Sequence, residues 1–201
     1  VTSPSVTWPR RTRRLVLRPY RAEDAGRLLQ IRNHPDVWRW LLRTEVDPAA
    51  FTQAWADGVA DPLDHPAVVE LDGAVIGWCS IEVQDGMGQD KAGPSPRSEG
   101  LLGYIFDTAY AGHGYAKEAA ASMVAAAFDE LGLHRVTAGC FADNTPSWKI
   151  MESLGMRREQ YGVEDSWHAE LGWLDGYTYA ILDREWAART ETAPTAVAAV
   201  R

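Results

Sequence analysis

Residues 110–116 read Tyr-Ala-Gly-His-Gly-Tyr-Ala, between an apolar run at 101–106 and a long stretch of small and apolar residues. Glycines placed just before a helix can hold an anion. The first N–H groups of a helix have no internal acceptors, and the aligned peptide dipoles put about half a positive charge there, so a phosphate or pyrophosphate is favoured. Gly112 and Gly114 let the main chain approach such a ligand with no Cβ in the way. Two common phosphate loops are excluded. A dinucleotide fingerprint needs a third glycine where Lys117 stands, and a P-loop needs Gly-Lys followed by Ser or Thr. His113, Lys117 and Lys149 either add positive charge against the phosphates or are ordinary solvated residues.

The elements that must position this loop follow from hydrophobic periodicity. Residues 101–106 read as a strand. From Ala116 the small and apolar positions recur at helical spacing to Leu131, and Gly132 stops the helix. Residues 136–141 supply the next strand, Thr145-Pro146 an N-cap and N1 pair, and Gly155 the end of the helix that follows. Upstream, Leu15 and Leu17 mark a first strand and Asp24 opens a helix that Pro35 stops. A short apolar turn holds Trp38 and Trp40, and Asp47-Pro48 caps a helix carrying Phe51, Trp55 and Val59. Asp72-Gly73 between apolar runs at 67–71 and 75–83 predicts a tight hairpin. Residues 84–97 read as a surface loop, and short strands are expected near 156–161 and 177–182. The sum is an α/β domain with a mixed sheet of six to seven strands and helices on both faces, spanning 10–188, with loose ends at 1–9 and 189–201.

Composition narrows the function. The 201 residues suit one domain, since 201 over 150 is about 1.3. Hydrophobic residues at 46% support a full core. A net charge of −8 argues against dedicated nucleic-acid binding and slightly favours cationic or amine acceptors. Cys79 and Cys140 stand far apart with no CxxC spacing, so reduced thiols and no metal site are expected. No membrane span or secretion signal is legible, which makes the cytoplasm the expected location. Arg10, Arg11, Arg13 and Arg14 read as a solvated strand edge, with an RNA or ribosome contact as the sharper alternative.

The loop resembles the pyrophosphate loop of the Gcn5-related N-acetyltransferase (GNAT) superfamily, Gln/Arg-x-x-Gly-x-Gly/Ala, here Ala111-Gly112-His113-Gly114-Tyr115-Ala116 without the leading Gln or Arg. The preceding Leu102-Gly103-Tyr104-Ile105-Phe106, the helix start Lys117-Glu118-Ala119 and the segment Asn144-Thr145-Pro146-Ser147 through Leu154-Gly155-Met156 look like further family segments. The Leu15-x-Leu17-Arg18-Pro19 opening and the ending at 179–186 resemble the branch of ribosomal-protein N-terminal acetyltransferases. The resemblance spans about residues 11–186. It implies an acetyl-CoA-dependent N-acetyltransferase whose sheet splits between the fourth and fifth strands. The pantetheine arm would pair with the main chain of Tyr104, Ile105 and Phe106, and the pyrophosphate would rest on amides from Gly112 through His113, Gly114 and Tyr115 to Ala116. It also implies that Asn144 contacts the arm or the helix entry, that Ser147 assists the departing thiolate where relatives use a tyrosine, and that a bulge in the fourth strand frees an amide for the carbonyl oxygen.

Attack by a neutral amine on a thioester requires a proton acceptor. An N-terminal amine with pKa about 7.8 costs ~1 kcal/mol to deprotonate at pH 7, and a lysine near 10.4 costs ~4.6 kcal/mol. Glu82 and Glu99, at strand ends, are the candidate bases, with His168 and Glu170 as looser alternatives and a water chain as a substitute for all. Trp38, Trp40, Trp78 and Trp173 either wall an acceptor groove or pack the core, and Trp148 shapes the cofactor channel. The expected partners are acetyl-CoA and a primary amine, first a protein or peptide N-terminus and second a small amine such as an aminoglycoside or polyamine. A homodimer is compatible with the sequence. The opposing class is a non-catalytic CoA-sensing or RNA-associated module on the same fold.

Overall fold

The computed structural model describes residues 4–44, 46–86, 89 and 99–192. In chain order the elements are β1 (Arg10–Arg11), β2 (Leu15–Arg18), α1 (Ala25–Arg32), α2 (Pro35–Trp38), α3 (Pro48–Ala60), β3 (Asp64–Leu71), β4 (Ala74–Gln84), β5 (Glu99–Phe106), α4 (Tyr115–Asp129), β6 (Arg135–Phe141), α5 (Thr145–Ser153), β7 (Arg157–His168), β8 (Gly172–Leu182) and α6 (Asp183–Thr192). Among the described residues eight strands form one sheet in the order β1-β2-β3-β4-β5-β6-β8-β7, in which only β5 and β6 run parallel.

Strand alternation sorts the core onto two faces. Val69, Cys79 and Ile81 join Ala120, Met123, Val124 and Ala127 of α4 in the larger cluster, whereas the adjacent Val68 packs with Leu28 and Trp55 in a second one. Thus α1 and α3 cover one face, and α4 and α5 the other. Local chemistry explains most of the elements. Asp47 accepts a hydrogen bond from the Ala50 amide at 2.8 Å, as an N-cap should. Asp72 and Gly73 take positive φ of 50° and 83° in the β3–β4 hairpin.

Several expectations change. The sheet has eight strands because Arg10 and Arg11 pair with Leu17 and Val16, so the expected fourth and fifth strands are β5 and β6. The cap of α5 is Asn144 rather than Thr145. Pro35 both ends α1 and opens α2. The segment 1–9 is tied down from Val6 onward: Val6 is buried, Trp8 packs on the core, and the Thr7 amide donates to Glu130 at 2.6 Å. The chain past 188 continues as helix to Thr192. The strands β7 and β8 are each about twice the expected length. Residues 87, 88 and 90–97 of the expected surface loop, and 1–3 and 193–201 of the ends, lie outside the described residues.

Candidate active site

The sheet parts where β5 meets β6. They pair only at Glu99–Arg135, Gly100–Val136 and Leu101–Thr137. Beyond that, β5 is held by β4 alone and β6 by β8 alone. The β4–β5 register is unbroken from Gln84–Glu99 to Gly77–Phe106, and the Asp107 amide continues it with a 2.9 Å bond to the Ile76 carbonyl. Antiparallel alternation then turns the main chain of Ile105 toward Trp78, and that of Tyr104 and Phe106 toward the gap. Two of the three residues expected along the pantetheine arm thus face it with main-chain groups. The unbroken register also means that β5 has no bulge, which would set two residues against one. The amides facing the gap are freed by the parting of the strands instead.

At the end of β5 the chain makes a single 3-10 turn, Thr108–Tyr110, and then enters the glycine loop. Gly112 and Gly114 take φ of 78° and 77°. Nothing lies within 4 Å of a Cβ added at Gly112, so glycine is required there by conformation rather than by space. Gly114 caps α4 without any side-chain bond, and its carbonyl accepts the Glu118 amide at 3.0 Å. The amides of Tyr115, Ala116 and Lys117 therefore have no intrahelical acceptor. Gly112, His113, Gly114 and Lys117 are exposed.

Arg14, expected at a solvated strand edge, lies against the loop instead. Arg14 donates to Glu118 at 2.7 Å and to the His113 carbonyl at 2.9 Å, and its guanidinium lies 4.4 Å over the Tyr115 ring, on which His113 also stacks at 5.6 Å. Arg10 is likewise engaged by Glu130 and Ser122 of the α4 side. Two members of the N-terminal arginine run thus bind the first strands to the helix that carries the loop.

Across the gap, the Tyr104 hydroxyl lies 2.9 Å from the Ser147 carbonyl oxygen and 3.0 Å from Ser147 Oγ. Burial pushes the Tyr104 phenol well above its ordinary range, so it remains a proton donor throughout neutral pH. A tyrosine therefore stands beside Ser147 after all, delivered by the strand and not by the helix. Asn144 accepts the Ser147 amide on its carbonyl at 3.0 Å, and Trp148 Nε1 donates to the Ala142 carbonyl at 3.1 Å. Lys149 is exposed, with its ammonium 5.8 Å from the Trp148 ring.

The candidate bases are dispersed. Glu99 lies 3.6 Å from Arg135, which also holds Glu159, at the closed end of the gap. Glu82 is exposed and faces Asp64 across β3–β4. Asp64 itself is the notable group. Burial, reinforced by Glu82 and Asp61, raises its carboxyl to about 6, and it lines a cleft of about 180 Å³ with Trp55, Trp78 and Ser80. Nothing in its one-dimensional context distinguished it, because the effect needs the cross-strand partner. His168 is buried, and its Nδ1 faces two amide donors, Glu170 at 3.1 Å and Leu171 at 3.2 Å. Nδ1 must therefore accept, and Nε2–H donates to the Arg39 carbonyl at 2.8 Å. Both ring nitrogens are committed to structure, which leaves none for proton transfer.

The tryptophans divide. Trp78 packs with Phe51 and Trp55 beside Asp64; Trp40 packs with Phe141 and His168. Trp173 meets Trp167 on the exposed β7–β8 hairpin, and Trp38 is half-buried in α2. A second cleft, of about 350 Å³, lies beside Trp40's partners Phe141 and His168. Among the described residues no cluster of three or more His, Cys, Asp or Glu side chains is placed to hold a metal ion, and no helix is long and apolar enough to cross a membrane.

Residues 14–157 match the acetyltransferase (GNAT) domain family. The uncharacterized N-acetyltransferase YnaD of Bacillus subtilis (strain 168) is 29% identical, over 87% of this chain and 97% of its own length. The uncharacterized N-acetyltransferase p20 of Bacillus licheniformis is 29% identical, over 88% and 97%. A solved acetyltransferase of the GNAT family from Bacillus anthracis is 26% identical and superimposes with a TM-score of 0.73, over 87% of this chain and 98% of that one. Two more distant structures share the fold. The RimL ribosomal L7/L12 α-N-protein acetyltransferase, solved with coenzyme A, is 12% identical at TM-score 0.72, over 85% and 95%. The spermidine/spermine N-acetyltransferase SpeG of Vibrio cholerae is 17% identical at TM-score 0.73, over 89% and 99%. The match over more than half of the chain, on a sheet that parts in front of a glycine-capped helix, shows that this protein belongs to the GNAT acetyltransferase family and is an acyltransferase with acetyl-CoA as its donor.

Proposed function

We propose that the protein transfers the acetyl group of acetyl-CoA to a primary amine, first of all a protein or peptide N-terminus, within the gap between β5 and β6. The observation that carries this reading is the parting of the two strands next to the free N-terminal amides of α4. The two features suit the two ends of one ligand. The amides of residues 114–117, with Arg14 beside them, bind the diphosphate, and the main chain of Tyr104 and Phe106 binds the amide-bearing arm.

In the transfer a bond forms between the amine nitrogen and the carbonyl carbon, the carbon–sulfur bond breaks, the amine gives up a proton and the thiolate gains one. Asp64, raised to about 6, is ionised at pH 7 and basic enough to receive the proton of a terminal amine, with Glu82 as its neighbour and a water as relay. The Tyr104 hydroxyl and Ser147 Oγ are the donors nearest the far side of the gap, and they serve the departing thiolate. Glu99, held by Arg135 at the closed end, is the weaker candidate. Lys117 adds exposed positive charge at the loop, where His113 is also exposed, and Lys149 is an exposed cation on α5.

The choice of a protein N-terminus draws on the fold shared with RimL, and a small amine is the second reading because SpeG shares the fold equally. The test is thiol release from acetyl-CoA with a panel of N-terminal peptides, lysine peptides and small amines. Turnover with a terminal amine supports the proposal. Coenzyme A binding with no turnover on any amine would replace it by a sensing role.

A further inference from the structure

The cleft beyond β6 has an unusual charge. The protein as a whole is acidic, at −8, and several of its arginines hold a carboxylate, among them Arg18, Arg27, Arg135 and Arg157. Arg39 and Arg43 line this cleft, and neither they nor Arg32 has a carboxylate partner among the described residues. Arg32 is 4% exposed, and its guanidinium donates to the carbonyl oxygens of Arg43 and Thr44. Those acceptors are neutral carbonyl oxygens, which leave its charge uncompensated among the described residues. Burial and the neighbouring Arg43 lower its pKa, the signature of a cation without an anion beside it. Arginine nonetheless stays protonated at any physiological pH.

The position of Arg39 is fixed from behind, because buried His168 donates to its carbonyl at 2.8 Å. Around the two exposed guanidinium groups the rim is apolar: Leu42 is 96% and Trp167 62% exposed, and Phe141 forms part of the wall. Phe141 ends β6, so the cleft adjoins the gap on the side opposite Asp64.

We infer that this cleft selects acceptors that carry a carboxylate at some distance from the reacting amine, with Arg39 and Arg43 binding it and Arg32 supplying charge behind them. The inference deepens the proposed function and rests on it. A −8 protein repels anions at long range, so a local cationic cleft gives discrimination that net charge does not. Paired guanidinium groups recognise a planar carboxylate through charge-assisted hydrogen bonds, and the Leu42–Trp167 rim shields those bonds from water. The carboxylate has two sources, an acidic side chain near the terminus of a peptide or the free main-chain carboxylate of an amino acid. Both are alternatives to a polycationic amine, which this cleft would repel.

The test is equilibrium binding to the protein saturated with coenzyme A, measured by calorimetry, with turnover followed in parallel. The probes are a C-terminally amidated peptide with Glu at its third position, its Gln counterpart, free leucine, and leucinamide. The expected result is at least about tenfold tighter binding of the carboxylate member of one pair, and that pair identifies the source. In the double variant Arg39→Gln, Arg43→Gln the ratio falls to within about twofold, while coenzyme A affinity reports that the fold is intact. A ratio near one for both pairs in the unaltered protein, or a ratio that survives in the double variant, overturns the inference. Absence of turnover with a preserved binding ratio would count against the acetyl-transfer reading alone.

Discussion

The two banks of the gap offer different means of recognition. On the loop side the candidate binding groups are main-chain amides of consecutive residues, shaped by two glycines at positive φ and the start of one helix. On the acceptor side the candidates are side chains brought together from distant parts of the chain, among them Arg39, Arg43, Asp64 and Trp78. Main-chain recognition requires only that a segment fold locally in one way. Side-chain recognition requires the whole domain to close, and it varies freely without disturbing the fold. The contrast accounts for a donor that the family fixes and an acceptor that it leaves open.

This contrast can be broken most severely at Gly114. Gly114→Glu places a side chain at a φ of 77° and a negative charge among the amides, so coenzyme A should bind more than about 100-fold more weakly in calorimetry. Unchanged affinity would remove the loop from the binding site.

On the other bank, Asp64→Asn should lower kcat/KM on a peptide amine by at least about tenfold and erase the acidic limb near pH 6. Stability should move the opposite way. The folded Asp64 carboxyl holds its proton more tightly than the unfolded one, so its contribution falls as pH rises from about 4 to about 6 and stays low above. Asn removes that loss, and after allowance for its partial exposure Tm should rise by about 2 °C at pH 7.5 and by less at pH 4. A fall in Tm at pH 7.5 would show that the carboxylate is stabilised by a partner.

Between the banks, Tyr104→Phe should reduce kcat by about tenfold and Ser147→Ala by about threefold, each with coenzyme A affinity changed less than either. Equal rates in both variants would demote the pair to a structural clasp. The smallest effect is expected at Arg14, whose ion pair with Glu118 is largely solvent-facing. Arg14→Gln should weaken coenzyme A binding about twofold to threefold, and less at high salt.

The same distinction governed what the letters disclosed. The Asp72-Gly73 hairpin, the Asp47 cap, the glycine loop and α4 are local features, in which neighbouring residues suffice to impose the conformation. The long β7 escaped because most of its residues are exposed on both faces, so hydrophobic alternation never develops. Tyr104 and Ser147 are 43 residues apart, and Arg14 and the His113 carbonyl it binds are 99 apart. Such contacts leave no periodic trace. His168 illustrates the converse error: its residue type suggested proton transfer, and only the two amides at Nδ1 reveal that it is a structural bracket.

The central claim is tested most directly by a crystal structure with bound coenzyme A. The diphosphate should lie within hydrogen-bond distance of the amides of residues 114–117, with the arm running between the unpaired ends of β5 and β6 past Tyr104. A diphosphate bound elsewhere, or strands paired through Phe106 and Phe141 with no room for the arm, would contradict it.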